Sequence, residues 1–171
     1  MLSTIQSMFI DNLLLYQKLD MKKIFSNKEL LLFHFFHDIT KIFPQNVIIV
    51  KDILFFFLDN ENYFEAKMKL PYLRKKFQHR RIVLVREEGV LVNLVFGFFP
   101  DPYIHNIRID RNTHTGHIII IVGFLSYEER GIAVGCNGDY IKAVNEIFDT
   151  QIKFAEYQGF PVRIRCEVVK L

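Results

Sequence analysis

The chain has 171 residues, half of them hydrophobic, with 18 Phe, no Trp and a formal net charge of +3. That length carries one large or two small domains with their own cores, and so heavy a phenylalanine load calls for burial or for assembly. The longest apolar runs, 30–36 and 53–58, fall far short of the roughly 20 residues that cross a bilayer, so no membrane span is expected.

No basic residue precedes the first apolar stretch and no arginine comes before Arg74, so neither a secretory signal nor an arginine-rich presequence is expected. Residues 1–23 have apolar positions at mixed spacing and read as weakly helical. Ser26 followed by Glu29 is a capping-box pattern and predicts a helix over 27–42, ended ahead of Pro44. His34 and His37 share one face of it beside Asp38. With no third ligand nearby they read as ordinary helix histidines, and no metal is expected.

The β-branched and aromatic runs 47–50 and 53–58 predict a hairpin, with 59–62 as a polar turn and 63–69 as a further strand or a lead into a basic block. Pro71 argues against a regular element continuing there. Charge is unevenly spread: residues 1–66 carry six lysines and no arginine against eight acids. The block 67–86 then holds Lys67, Lys69, Arg74, Lys75, Lys76, Arg80, Arg81 and Arg86 with no acid. Eight unopposed cations point to phosphate contact, with Lys75, Lys76, Arg80 and Arg81 as the candidate residues.

Segments 81–85 and 90–96, separated by a turn containing Gly89, predict a second hairpin. Three short strands are expected at 107–109, 118–122 and 132–134, joined by polar loops. Tyr140, Ile141, Val144, Ile147 and Phe148 form one apolar face of a helix over 139–153, capped by Asn137 or Asp139. The fold class is therefore α+β in two small domains: a divergent α/β region over 1–75, then an RNA-binding domain over 76–171 whose mostly antiparallel sheet carries one helix on a face. No internal repeat is visible in the sequence.

There is no Walker loop, nucleophile elbow or locally assembled catalytic set, and the pairs Glu87-Glu88 and Glu128-Glu129 sit in predicted turns. No enzyme, no catalytic residue and no cofactor is expected. Cys136 and Cys166 lack metal-ligand spacing and read as reduced thiols of a reducing compartment.

The sequence GCNG at 135–138, ahead of a helix, resembles the backbone-clamping loop of KH domains, in which two glycines joining two helices let the chain approach phosphates closely. A second resemblance spans three ordered blocks: VLVNLVFGFFPDPYI (90–104), IAVGCNGDYIKAVNEI (132–147) and YQGFPVRIRCEVV (157–169). Together they are similar to the second domain of large-subunit ribosomal protein six, where a strand, glycine turn and helix are followed by a tyrosine-glycine loop and a strand with arginine and glutamate. Three blocks in order outweigh one four-residue loop, so this reading ranks first and the KH reading second.

The ribosomal resemblance implies a structural protein of an organellar large subunit that docks on large-subunit rRNA near the sarcin–ricin stem and stalk base, against neighbouring ribosomal proteins and not as a free homo-oligomer. It implies rRNA contact through Tyr157, Gly159, Arg163 and Arg165. The family's final loop is lysine-rich, whereas Gln158, Phe160 and Pro161 stand here, which leaves the phosphate contact to the two arginines. The abundance of Phe, Ile, Asn and Lys suggests an AT-rich genome and hence an organelle-encoded protein of the mitochondrial matrix. A structural subunit of an organellar complex held by protein contacts alone is the third reading.

Overall fold

The computed structural model describes residues 11, 13–112, 114–155 and 161–170. The chain is α+β and divides into two compact units, Lys22–Glu88 and Met1–Met21 with Gly89–Leu171. The divisions therefore fall at 21/22 and 88/89, whereas the composition suggests a single boundary at 75/76.

Strand β1 (Leu19–Met21) belongs to the discontinuous unit, and the next five elements build the other. Helix α1 (Asn27–Thr40) starts on the expected capping box: the Ser26 hydroxyl accepts from the Glu29 amide at 3.3 Å, and the Glu29 carboxylate accepts from the Ser26 amide at 2.8 Å. Strands β2 (Asn46–Val50) and β3 (Ile53–Leu58) form the predicted antiparallel hairpin.

Beyond this hairpin the chain departs from the sequence expectation. Asp59 does not sit in a turn that leads to another strand; it is the N-cap of helix α2 (Asn60–Lys76), its carboxylate accepting from the Asn62 amide at 2.8 Å. Pro71 lies inside this helix. Its ring removes the amide that the Lys67 carbonyl would use, but both residues are exposed, so water takes that bond and the helix continues.

Strand β4 (Arg81–Arg86) pairs parallel to β3, and the hairpin expected between 81–85 and 90–96 is absent. A parallel neighbour requires a crossover, and α2 supplies it. Every residue of β3 is buried, as the central strand of such a sheet should be. On one face Phe36, Leu54, Phe56, Leu58, Tyr63, Leu73, Ile82 and Leu84 form the core, with the Phe36 and Phe56 rings stacked at 4.5 Å.

In the discontinuous unit, helix α3 (Leu91–Phe98) buries Leu91, Leu94, Val95 and Phe98. The valine-rich run reads as strand by composition, yet this spacing brings all four residues to one side only in a helix. Strands β5 (Asn106–Arg111) and β6 (Ile118–Phe124) are antiparallel. Helix α4 (Tyr127–Val134), a 3₁₀ turn at Cys136–Gly138 and helix α5 (Asp139–Thr150) come next. Strand β7 (Ile152–Phe154) pairs antiparallel with β1, and β8 (Val162–Val168) pairs parallel with β6.

The strand expected at 132–134 is thus the last turn of α4. Ser126 is its N-cap, accepting from the Glu129 amide at 3.1 Å. Helix α5 ends at Thr150 and buries Tyr140, Ala143, Val144, Ile147 and Phe148. The hydroxyl of Tyr140 donates to the Phe98 carbonyl, fixing α5 to the end of α3.

The two units repeat one topology that the sequence conceals. Each runs helix, antiparallel strand pair, helical crossover, and a third strand parallel to the second, giving the orders β2-β3-β4 and β5-β6-β8. The crossover is the single helix α2 in one unit and the pair α4 and α5 in the other. Among the described residues no helix is long and apolar enough to cross a membrane.

Candidate nucleic-acid interface

The turn between α4 and α5 is set by glycine geometry. Gly135 ends α4 with φ 80° and ψ 177°, a region that only glycine occupies without strain. A side chain there would also collide, since an added Cβ would lie 2.1 Å from Asp139 Oδ1 and 2.9 Å from the Tyr140 amide nitrogen. Asn137 (φ 53°) and Gly138 (φ 74°) are left-handed as well, which turns the chain sharply into α5.

Cys136 and Asn137, at the tip, are both exposed. Gly138 is the N-cap of α5 and offers no side chain to its first turn, whose amides make that end of the helix partly positive. The Asp139 carboxylate folds back onto the Tyr140 amide at 2.6 Å, so it serves the first turn locally and not as a cap from outside. Lys142 stands one turn further on and donates to the Asn137 carbonyl at 3.1 Å, placing an ammonium beside the tip.

The cations singled out in the sequence belong to other elements than this turn. Arg163 and Arg165 are exposed on β8, each near a carboxylate of the same unit: Arg163 lies 3.6 Å from Asp149, and Arg165 lies 3.8 Å from Asp110. Arg108 pairs with Glu167 in the same sheet. These pairs are exposed and contribute little to stability, but they leave the sheet with a mixed charge that suits phosphate poorly. Tyr157 and Gly159 lie outside the described residues.

The basic block belongs to the other unit. Lys75 and Lys76 occupy the last turn of α2, Arg80 is in the following turn, and Arg81 opens β4. Lys69 is turned away from this cluster, its amine bonded to the Thr40 carbonyl and the Glu65 carboxylate. Among the described residues Lys67, Arg74, Lys75, Lys76 and Arg80 have no carboxylate within ion-pair distance. Arg86 instead covers aromatic rings, 4.8 Å from the centre of Tyr63 and 5.2 Å from that of Phe64. His37 stacks on Phe43 at 3.8 Å, and among the described residues no three histidine, cysteine or acidic side chains gather where a metal could bind.

Two contributors escape the sequence reading. Periodicity assigns Lys142 only to the outer face of its helix, although its position four residues after Gly138 places it one turn above the tip. Arg130 falls in a predicted loop; its Nε donates to the Cys166 carbonyl at 3.2 Å and ties α4 to β8. The signal for Arg130 is Ser126 with Glu129, the same capping pattern that correctly places α1.

No family model matches the chain, and no curated protein matches it. Among solved structures it is similar to the one titled "Crystal structure of APE1850", with a TM-score of 0.55 and 22% identity over 82% of this chain and 100% of that one. At that identity the likeness concerns the fold alone.

Proposed function

We propose that the chain is a non-catalytic RNA-binding protein that holds a single-stranded segment at the GCNG turn, in the manner of the KH domains which that turn resembles. The observation that carries the reading is the order helix, exposed glycine turn, helix: α4 ends at Gly135, Cys136 and Asn137 form an open tip, and α5 begins after Gly138. Gly135 packs against Asp139 and Tyr140, but at Gly138 the nearest atom to an added Cβ is 3.7 Å away, so a phosphate can lie against the backbone there. The Lys142 ammonium beside the tip then faces it, and a charge-assisted contact holds it.

The ribosomal reading requires a strand at 132–134 leading into the glycine turn. The helix found there favours the KH alternative, and the ion-paired state of Arg163 and Arg165 weakens the rRNA contact assigned to them. The cations at the end of α2, which have no carboxylate within ion-pair distance among the described residues, add a sequence-independent attraction for the phosphate backbone.

The test is fluorescence anisotropy with labelled single-stranded RNA, wild type against Cys136→Asp with Asn137→Asp. Both positions are exposed, and aspartate tolerates the left-handed conformation of Asn137, so the variant should fold. Two carboxylates where a phosphate must approach are expected to weaken binding at least about tenfold, and wild-type affinity should fall steeply between about 50 and 200 mM salt. Unchanged affinity in the variant, or no binding by the wild type at the low-salt end, overturns the reading.

A further inference from the structure

The outward face of α2 carries three large apolar side chains, Phe64 at 62% exposure, Met68 at 76% and Tyr72 at 53%. They recur every four residues, on the side of the helix opposite the buried Tyr63, Ala66 and Leu73, and so form one stripe. The two rings are held in place by neighbouring cations, with Arg86 over Phe64 at 5.2 Å and Lys76 over Tyr72 at 5.5 Å. An ordered, contiguous apolar stripe in water marks a contact surface.

The stripe has a centre. Phe64 lies four residues before Met68 and Tyr72 four after, while Glu61 lies seven before and Lys75 seven after. Reversing the helix therefore exchanges ring with ring and acid with base. We propose that this face is where two copies of the chain associate, α2 against α2 in antiparallel sense about a twofold axis through Met68.

In that arrangement Met68 meets the partner's Met68, Phe64 meets the partner's Tyr72, and Glu61 faces the partner's Lys75, so every contact is made twice, as a closed twofold interface requires. Antiparallel helices also set opposite dipole ends side by side. Nucleic acid is a poor match for the whole stripe, because Glu61 and Glu65 flank Phe64 and repel phosphate. A different protein would have no reason to match a pattern that reads the same from both ends.

Six such side chains withdraw roughly 600 Å² from water, below the lower bound of about 1,200 Å² for stable interfaces, so the association belongs to the weak, concentration-dependent class. It does not rest on the RNA reading, although the two share Lys75, and it departs from the sequence expectation of no free homo-oligomer.

The experiment is sedimentation velocity on the full chain from about 1 to about 100 µM, the span of weak interfaces. The mass is expected to rise from that of one chain, 20.3 kDa, toward that of two. Met68→Asp places two carboxylates on the axis and should leave a monomer with an unchanged circular dichroism spectrum, since Met68 touches little of its own chain. Glu61→Lys and Lys75→Glu, each alone, should weaken association several-fold, and an equimolar mixture of the two should restore it, because only the mixed pair has opposite charges at both ends. A wild type that stays monomeric throughout, association unaffected by Met68→Asp, or a mixture no tighter than its components overturns the proposal.

Discussion

The carboxamide of Asn145 closes on both backbone groups of Ile164: its Nδ2 donates to the Ile164 carbonyl at 3.0 Å, and the Ile164 amide donates to its Oδ1 at 2.7 Å. Strand β8 is an edge of the order β5-β6-β8, and an open edge exposes unpaired amides and carbonyls to any passing strand. Asn145, from α5, satisfies that edge at Ile164, and Arg130, from α4, takes the Cys166 carbonyl. Asn145→Leu should leave both groups without partners in a partly buried site, lowering stability by about 1–3 kcal/mol and promoting aggregation near the melting point. Asn145→Asp keeps the acceptor and loses the donor, so it should fall between. Thermal melts followed by circular dichroism and light scattering decide, and a leucine variant as stable as wild type would remove the edge-sealing role.

The two glycines of the GCNG turn should respond differently to alanine. At Gly135 the backbone lies in the glycine-only region and the methyl group would meet Asp139 and the Tyr140 backbone, so strain and collision add. At Gly138 the conformation is ordinary left-handed helix and the nearest atom to an added Cβ is 3.7 Å away. Gly135→Ala is therefore expected to cost more than about 2 kcal/mol and Gly138→Ala about 1–2 kcal/mol, with Gly138→Asn milder still. Equal losses in urea titrations would show that the turn does not hold this geometry in solution.

How much of the fold and of the candidate turn is legible in the sequence depends on whether a signal is local. The Ser26 and Glu29 cap, the 47–58 hairpin and the apolar face of α5 follow from spacing. The Ser126 and Glu129 cap is equally local, but the β-branched Ile132 and Val134 favour a strand, and with it the ribosomal resemblance. Helix α2 is hidden because Pro71 argues for a break; only the exposed setting of the orphaned Lys67 carbonyl lets the helix run on. The parallel pairing of β4 with β3 and of β8 with β6 has no local signal at all, since it is decided by what the crossover helices bury. The candidate turn itself is visible as four letters. Of its two flanking helices, which give it meaning, α5 shows plainly in the sequence, while the cap of α4 is outweighed by its β-branched residues.

Asp59 couples the start of α2 to pH. The amide of Asn62, helped by its side chain and by Gln45, holds the Asp59 carboxyl below its ordinary value of 3.8, because these bonds favour the ionised form. A depressed folded-state value means that the stabilisation is present in full above 3.8 and is lost as pH falls through the folded value. Asp59→Ala should cost about 1 kcal/mol at neutral pH, and the gap between variant and wild type should close in acid. Asp59→Asn should keep most of the cap without this dependence. Denaturant midpoints at pH 7 and in acid check it; a gap that stays constant with pH would mean that the charged carboxylate is not what caps the helix.

The two thiols should separate cleanly. Cys136 is exposed at the tip of the turn and Cys166, on β8, is buried, where loss of solvent pushes its thiol up to about 12 from 9.0 while the nearby Arg130 charge pulls the other way. An uncharged thiol is a poor nucleophile, so a disulfide reagent at mildly alkaline pH should modify one cysteine rapidly and the second only at the rate of unfolding. The same shift has a stability consequence. Between the unfolded and folded values the unfolded chain loses a proton that the folded chain keeps, so stability must fall with rising pH, by at most about 1.4 kcal/mol per unit. The contribution is intact below the unfolded value and lost as pH climbs toward about 12. Cys166→Ala removes this slope at a small packing cost, and the difference in melting temperature between variant and wild type should therefore shrink or reverse above pH 9, where the wild type alone bears the penalty. Rapid modification of both thiols in the native state would show that β8 opens far more readily than its seal by Asn145 allows.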